Sequence, residues 1–289
     1  MLYFQLLAAG IQTGALYALT AAGFSLIFGA TRTFHAAHGA TYALAGYSFV
    51  ECLSRDWHWA IALLVATVVA VAFGLLVERF VYRSIQKHHG GFFTVFVASF
   101  GILVMVQSFV EIVFGRGFTT ISTPLTRAHE VFPGLYIAPV FWIAAAMALV
   151  LFGVLVLFLT RARAGIGLRA LSENPELLRG FGLSSSRLSQ LAFGIGSALA
   201  VPGAVLGAAT VGLQPIVGAH VMLISMAATI VGGVGSVRGA AIAGLVLGVV
   251  ENVVIAVLDT QWSEAASFLV MFAFILVRPS GLFAARITR

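Results

Sequence analysis

An all-α, polytopic integral membrane protein is what this sequence predicts, on three observations. Of its 289 residues, 61% are hydrophobic and only 9% are charged. Its mean hydropathy is +1.06. The apolar residues also fall into stretches of about 20, the length that spans a bilayer as a helix. A soluble domain carries about 25% charged and about 45–50% apolar residues. So much apolar surface cannot be hidden from water in one or two soluble cores, which makes lipid the main solvent. A soluble enzyme, a disordered chain and a nucleic-acid-binding domain are excluded.

Nine candidate spans follow one another: Leu2–Gly29, Ala36–Leu53, Trp57–Val77, Phe92–Phe114, Leu135–Leu159, Leu188–Gly212, Val217–Gly232, Ala240–Leu258 and Trp262–Val277. The first is not a secretory signal. It has no basic start, because the first charge is Arg32, and it exceeds a signal core of about 7–15 apolar residues. The second and seventh are short and bordered by polar or glycine-rich sequence. They suit broken or re-entrant helices, which survive at membrane depth only when protein covers them. The expectation is about eight or nine crossings in one domain over residues 1–289.

The charges orient these spans. With nine spans and the N-terminus outside, thirteen of the sixteen Lys and Arg residues fall on inside segments, leaving Arg55, Arg116 and Arg127 outside. That asymmetry obeys the positive-inside rule and puts the C-terminus in the cytoplasm. The lone Cys52 permits no internal disulfide.

Motifs narrow the chemistry. The only lysine, Lys87, lies in no GxxxxGK[ST] run, so the chain has no P-loop and is not read as an enzyme. His35 and His38 have no acid or thiol beside them and make a poor metal site. No cofactor is expected.

The loop 161–187, RARAGIGLRALSENPELLRGFGLSSSR, carries the clearest local signal. Asn174 is a good N-cap, Pro175 suits the first helical position and Glu176 complements the helix dipole. Gly182 is a plausible stop. The prediction is a two-turn helix, Pro175–Phe181, with Leu177, Leu178 and Phe181 on an apolar face. That face either lies against the membrane domain or meets a cytoplasmic partner.

A second signal is glycine. Gly244 and Gly248 have the small-xxx-small spacing that lets helices approach closely in lipid. The cluster Gly232, Gly233, Gly235 and Gly239 weakens a helix and predicts a break or tight turn, where a gate could bend.

Three segments carry a resemblance. Thr33–Gly39 resembles the asparagine-phenylalanine-alanine-histidine-glycine motif in membrane permease subunits of branched-chain amino-acid ABC importers. His38 and Gly39 match it, whereas His35 replaces the asparagine and Ala36 the phenylalanine. The stretch around Pro175–Phe181 is similar to that family's cytoplasmic coupling loop, and Gly232–Asn252 to its glycine-rich signature. The three occur in family order.

The resemblance implies a permease subunit in a bacterial inner membrane, paired with a second permease subunit. Two cytoplasmic ATP-binding subunits would drive it, docking on Asn174, Pro175, Glu176, Leu177, Leu178 and Phe181. An extracytoplasmic binding protein would deliver amino acids or related small solutes such as urea, amides or aromatic acids.

Buried polarity is costly in lipid, so polar residues within spans are pathway or gate candidates. These are His35, His38 with Gly39, Thr41, Gln107 and Glu251. For His38 the alternative is a helix cap, and for Glu251 a protonated or paired structural acid. A histidine at position 35 implies a solute with a carboxylate or a ring. The other class is a secondary transporter or channel acting alone. It would need buried acids as coupling-ion sites, and Glu251 is the single deep one.

Overall fold

The computed structural model describes residues 2–121, 123–133, 135–258, 262–278 and 281–283. Each candidate span becomes a helix: α1 (Leu2–Thr31), α2 (His38–Ser54), α3 (Trp59–Leu76), α5 (Phe92–Phe114), α6 (Pro139–Arg161), α9 (Ser185–Thr210), α10 (Val217–Gly232), α11 (Val237–Val257) and α12 (Ser263–Val277). Between α3 and the short α4 (Arg83–Lys87) lies one π-helical turn, Val77–Tyr82. Two further helices, α7 (Arg163–Glu173) and α8 (Pro175–Gly180), occupy the long arginine-rich connection.

Helices α1 and α11 form the antiparallel spine. Ala18 and Gly14 of α1 lie backbone to backbone against Gly244 and Gly248 of α11, so an added Cβ on either glycine would strike the α1 main chain. The predicted small-residue packing is therefore present. In the most apolar stretch of α1, 83% of residues are buried, against 28% for the helices beginning at Trp59, Phe92 and Pro139. Helix α1 is thus enclosed by protein, whereas α11 is only 39% buried and the three outer helices face lipid or a partner.

The connections sort onto two faces. At one, Gln5 Nε2 donates to the Tyr136 carbonyl at 3.3 Å, and Thr119 and Leu213 exchange backbone bonds. A short antiparallel hairpin, β1 (His129–Phe132) and β2 (Leu135–Ile137), sits there; hydrophobic periodicity had not indicated it. At the other face, Arg32, Arg169, Arg238 and Phe283 surround one cleft. Three of the segments that the charge asymmetry groups together, at Arg32, Arg169 and Arg238, thus lie together.

Helices α2 and α10, of 17 and 16 residues, are a matched pair. His38 Nε2 reaches the Thr20 carbonyl, eleven residues and about 17 Å before the end of α1. The chain therefore turns back into the bundle over residues 32–37, and α2 starts at depth. The start of α10 meets it there. A Cβ on Gly39 would fall on the Gly218 carbonyl oxygen, and a Cβ on Gly218 on that of Gly39. Only glycine at both positions lets these two helix beginnings touch.

Candidate functional site

His35, His38 and Thr41 are completely buried. Residues 32–37 lack helical backbone, so their amide groups need side-chain partners. Ser99 of α5 supplies one: its Oγ accepts the Ala37 N–H at 3.0 Å. Ser99 Oγ also bonds the Tyr82 hydroxyl at 2.6 Å, and Tyr82 bonds His35 Nδ1 at 2.8 Å. The His35 ring packs edge-on against Phe193, centroids 4.9 Å apart. His38 Nε2 donates to the Thr20 carbonyl at 3.1 Å, which assigns the proton to that nitrogen. Thr41 Oγ1 donates to the Ala37 carbonyl one turn back.

The His35 ring is enclosed by protein: Nδ1 is held by Tyr82, and Nε2 is buried with no hydrogen-bond partner among the described residues.

A second polar chain crosses from α1 to α11. Tyr17 Oη lies 3.2 Å from His220 Nε2, which lies 3.3 Å from Glu251 Oε1. Glu251 is 6% exposed. His220, in the first turn of α10, thereby joins α1, α10 and α11, and the deep acid has a partner. Tyr17, His220 and Tyr82 were not singled out from the sequence. The signal was available for His220, a polar ring in an apolar run, but its pairing with Glu251 thirty-one residues on is purely tertiary.

Gln107 lies elsewhere. It is half-buried on α5, with Nε2 3.4 Å from Glu111 Oε1, and Glu111 pairs with Arg116. Beside it, Gly101, Met105 and Ser108 leave an open face on that helix. The structure thus brings His35, His38, Gly39 and Thr41 together and leaves Gln107 and Glu251 apart from them. Among the described residues, no group of three or more His, Cys, Asp or Glu is placed to hold a metal.

At the arginine-rich face, Asn174 Oδ1 accepts the N–H groups of Glu176 and Leu177 at 3.1 and 2.9 Å. Pro175 opens α8, and Gly182, at φ +77°, turns the chain away after Phe181. Leu177 and Phe181 are 59% and 77% exposed, but Leu178 is 3% exposed. Leu178 packs in one cluster with Leu168, Leu171 and Ala241. The expectation that Leu178 faces a partner is therefore wrong; successive positions on a helix diverge, and this one seats α8 on its own domain. The glycine cluster is a tight turn as expected: Gly233 and Gly235 have φ of +102° and +86°, and Gly232 abuts Gly239.

Comparison with known proteins identifies the assembly of these features. The family described as branched-chain amino acid transport system / permease component matches residues 6–277. The chain belongs to that family. This permease is 28% identical over 306 residues to the high-affinity branched-chain amino acid transport system permease protein LivH of Escherichia coli K12, covering 97% of this chain and 96% of the relative. It is 29% identical over 296 residues to the corresponding protein BraD of Pseudomonas aeruginosa, covering 97% and 95%. Its fold is shared with a chain of PsaBC from Streptococcus pneumoniae, solved in complex with Fab: TM-score 0.52 at 10% identity, over 93% of this permease and 89% of that chain. It is a multi-pass inner-membrane permease subunit of the branched-chain amino-acid ABC type.

Proposed function

We propose that this permease forms half of the translocation pathway of an ATP-driven importer for branched-chain amino acids. The arginine-rich face looks into the cytoplasm and the N-terminus lies outside. A second permease subunit completes the pathway, two ATP-binding subunits dock on the cytoplasmic side, and an extracytoplasmic binding protein delivers the solute.

The observation that carries this reading is α8. A capped helix of six residues holds Leu177 and Phe181 exposed, with Leu183 exposed beyond them. An exposed aromatic beside an exposed leucine is suited to a cleft in a partner. The solute path belongs against the open face of α5, where Gln107 and Ser108 offer polarity at membrane depth. His35, His38, Gly39 and Thr41 act behind that path, by fixing the re-entrant segment. Glu251 and His220 hold α10 to α11, so a tilt driven from α8 reaches α10 as a rigid-body motion.

The experiment replaces Leu177 and Phe181 by Glu in the complete transporter. The variant is expected to reach the membrane at wild-type level, to lose co-purification with the ATP-binding subunits, and to lower leucine uptake at least about tenfold. Uptake at the wild-type rate would overturn the docking role. Uptake of urea or an aromatic acid in place of leucine would reassign the solute and leave the rest standing.

A further inference from the structure

A cavity of about 850 Å³ opens on the arginine-rich face between the end of α1, α7 and the beginning of α11. Three guanidinium groups line it, those of Arg32, Arg169 and Arg238, against one carboxylate, Glu173. Among the described residues no ion pair ties any of the three; Arg32 reaches a backbone carbonyl, that of Ser172, at 3.5 Å. The described lining residues therefore carry net positive charge, with Glu173 as their single acid.

Two further observations point to an anionic occupant. Ser25 is among the lining residues, and its Oγ is fully buried with no hydrogen-bond partner among the described residues. A buried hydroxyl without a partner is costly unless something else bonds it. The 21-residue helix α11 also begins at the cavity, with Ser236 Oγ committed to the Gly239 N–H. Among the described residues, the N–H groups of Val237 and Arg238 then remain as the unmet donors of the helix start. Depth completes the description. Ser25 precedes Arg32 by seven residues, about 10 Å along α1, and Leu26 and Leu168 wall the space between. The cavity is cationic at its mouth and apolar inside.

We propose that this cavity is a binding site for a phosphate group, with Arg169, Arg238 and the start of α11 as its ligands. Phosphate suits forked guanidinium donors and helix beginnings together. Two sources supply it: the headgroup of an anionic phospholipid, whose acyl portion would follow the apolar wall, or free phosphate. Basic pockets between membrane helices take lipid headgroups in this way. The site does not depend on the transport reading.

The test uses the full chain, purified in detergent and reconstituted in nanodiscs. Native mass spectrometry and thermal unfolding are followed with phosphatidylglycerol, with phosphatidylcholine and with inorganic phosphate. Retention of phosphatidylglycerol over phosphatidylcholine supports the site with lipid as its source. Stabilisation by inorganic phosphate supports it with the free anion. In either arm, the double variant Arg169→Gln/Arg238→Gln weakens binding about tenfold or more, the corresponding Lys variants retain most of it, and Arg161→Gln, outside the cavity, changes nothing. Binding that is absent in both arms, or unchanged in the double Gln variant, overturns the proposal. So does displacement by leucine, which would make the cavity part of the solute path.

Discussion

Gly39 and Gly218 show what a single missing methyl group permits. Each presses its Cα against the other's carbonyl oxygen, so a side chain on either forces α2 and α10 apart. Gly39→Ala and Gly218→Ala are each expected to cost about 1–3 kcal/mol of folding stability, as overpacking does. Gly101→Ala, with open space around it, is expected to be neutral; thermal unfolding in one detergent compares the three. The Tyr82 hydroxyl is a second such point, bridging His35 and Ser99 where no water reaches. Tyr82→Phe keeps the packing and strands two polar groups, at an expected cost of about 1–3 kcal/mol. The same assay reads it, and a variant as stable as the wild type would deny the bridge its bracing role.

Among the elements, α8 separates two functions that share six residues. Leu178 belongs to the interior cluster and Leu177 to the surface. Leu178→Ala is expected to destabilise the domain by about 2–5 kcal/mol, whereas Leu177→Glu leaves thermal stability unchanged and removes docking. The π turn Val77–Tyr82 makes another geometric point. Its i→i+5 bonding draws positions five apart onto one side, and Glu78 there meets Arg83 at 3.1 and 3.2 Å. Glu78 is only 5% exposed. The helix α7 went unread for a related reason: its glycines, Gly165 and Gly167, look like a loop in sequence. In space, Gly165 packs beneath the Phe158 carbonyl and starts the turn onto α7.

For the whole molecule, the decisive measurement is sidedness. In a Cys52→Ser background, Thr120→Cys is expected to react in intact cells with a membrane-impermeant thiol reagent. Phe181→Cys is expected to react after the cells are opened. Both positions are exposed, on opposite faces of the bundle. The reverse pattern would invert the topology and remove α8 from the side where ATP is.

The short α4 and α7 were not legible in residues alone, whereas the long apolar helices, their order and the gathering of arginines were. Each depends on local quantities: the length of an apolar run, a cap such as Asn174, a count of arginines. Where the helices begin in depth was not legible. That α2 and α10 start inside the bundle and meet at two glycines, that His35 is sealed behind Tyr82, and that Glu251 finds His220 all depend on contacts between residues far apart in the chain. Hydrophobicity reports whether a segment prefers lipid or protein to water. It does not distinguish lipid from protein, and that choice is made by close packing among helices.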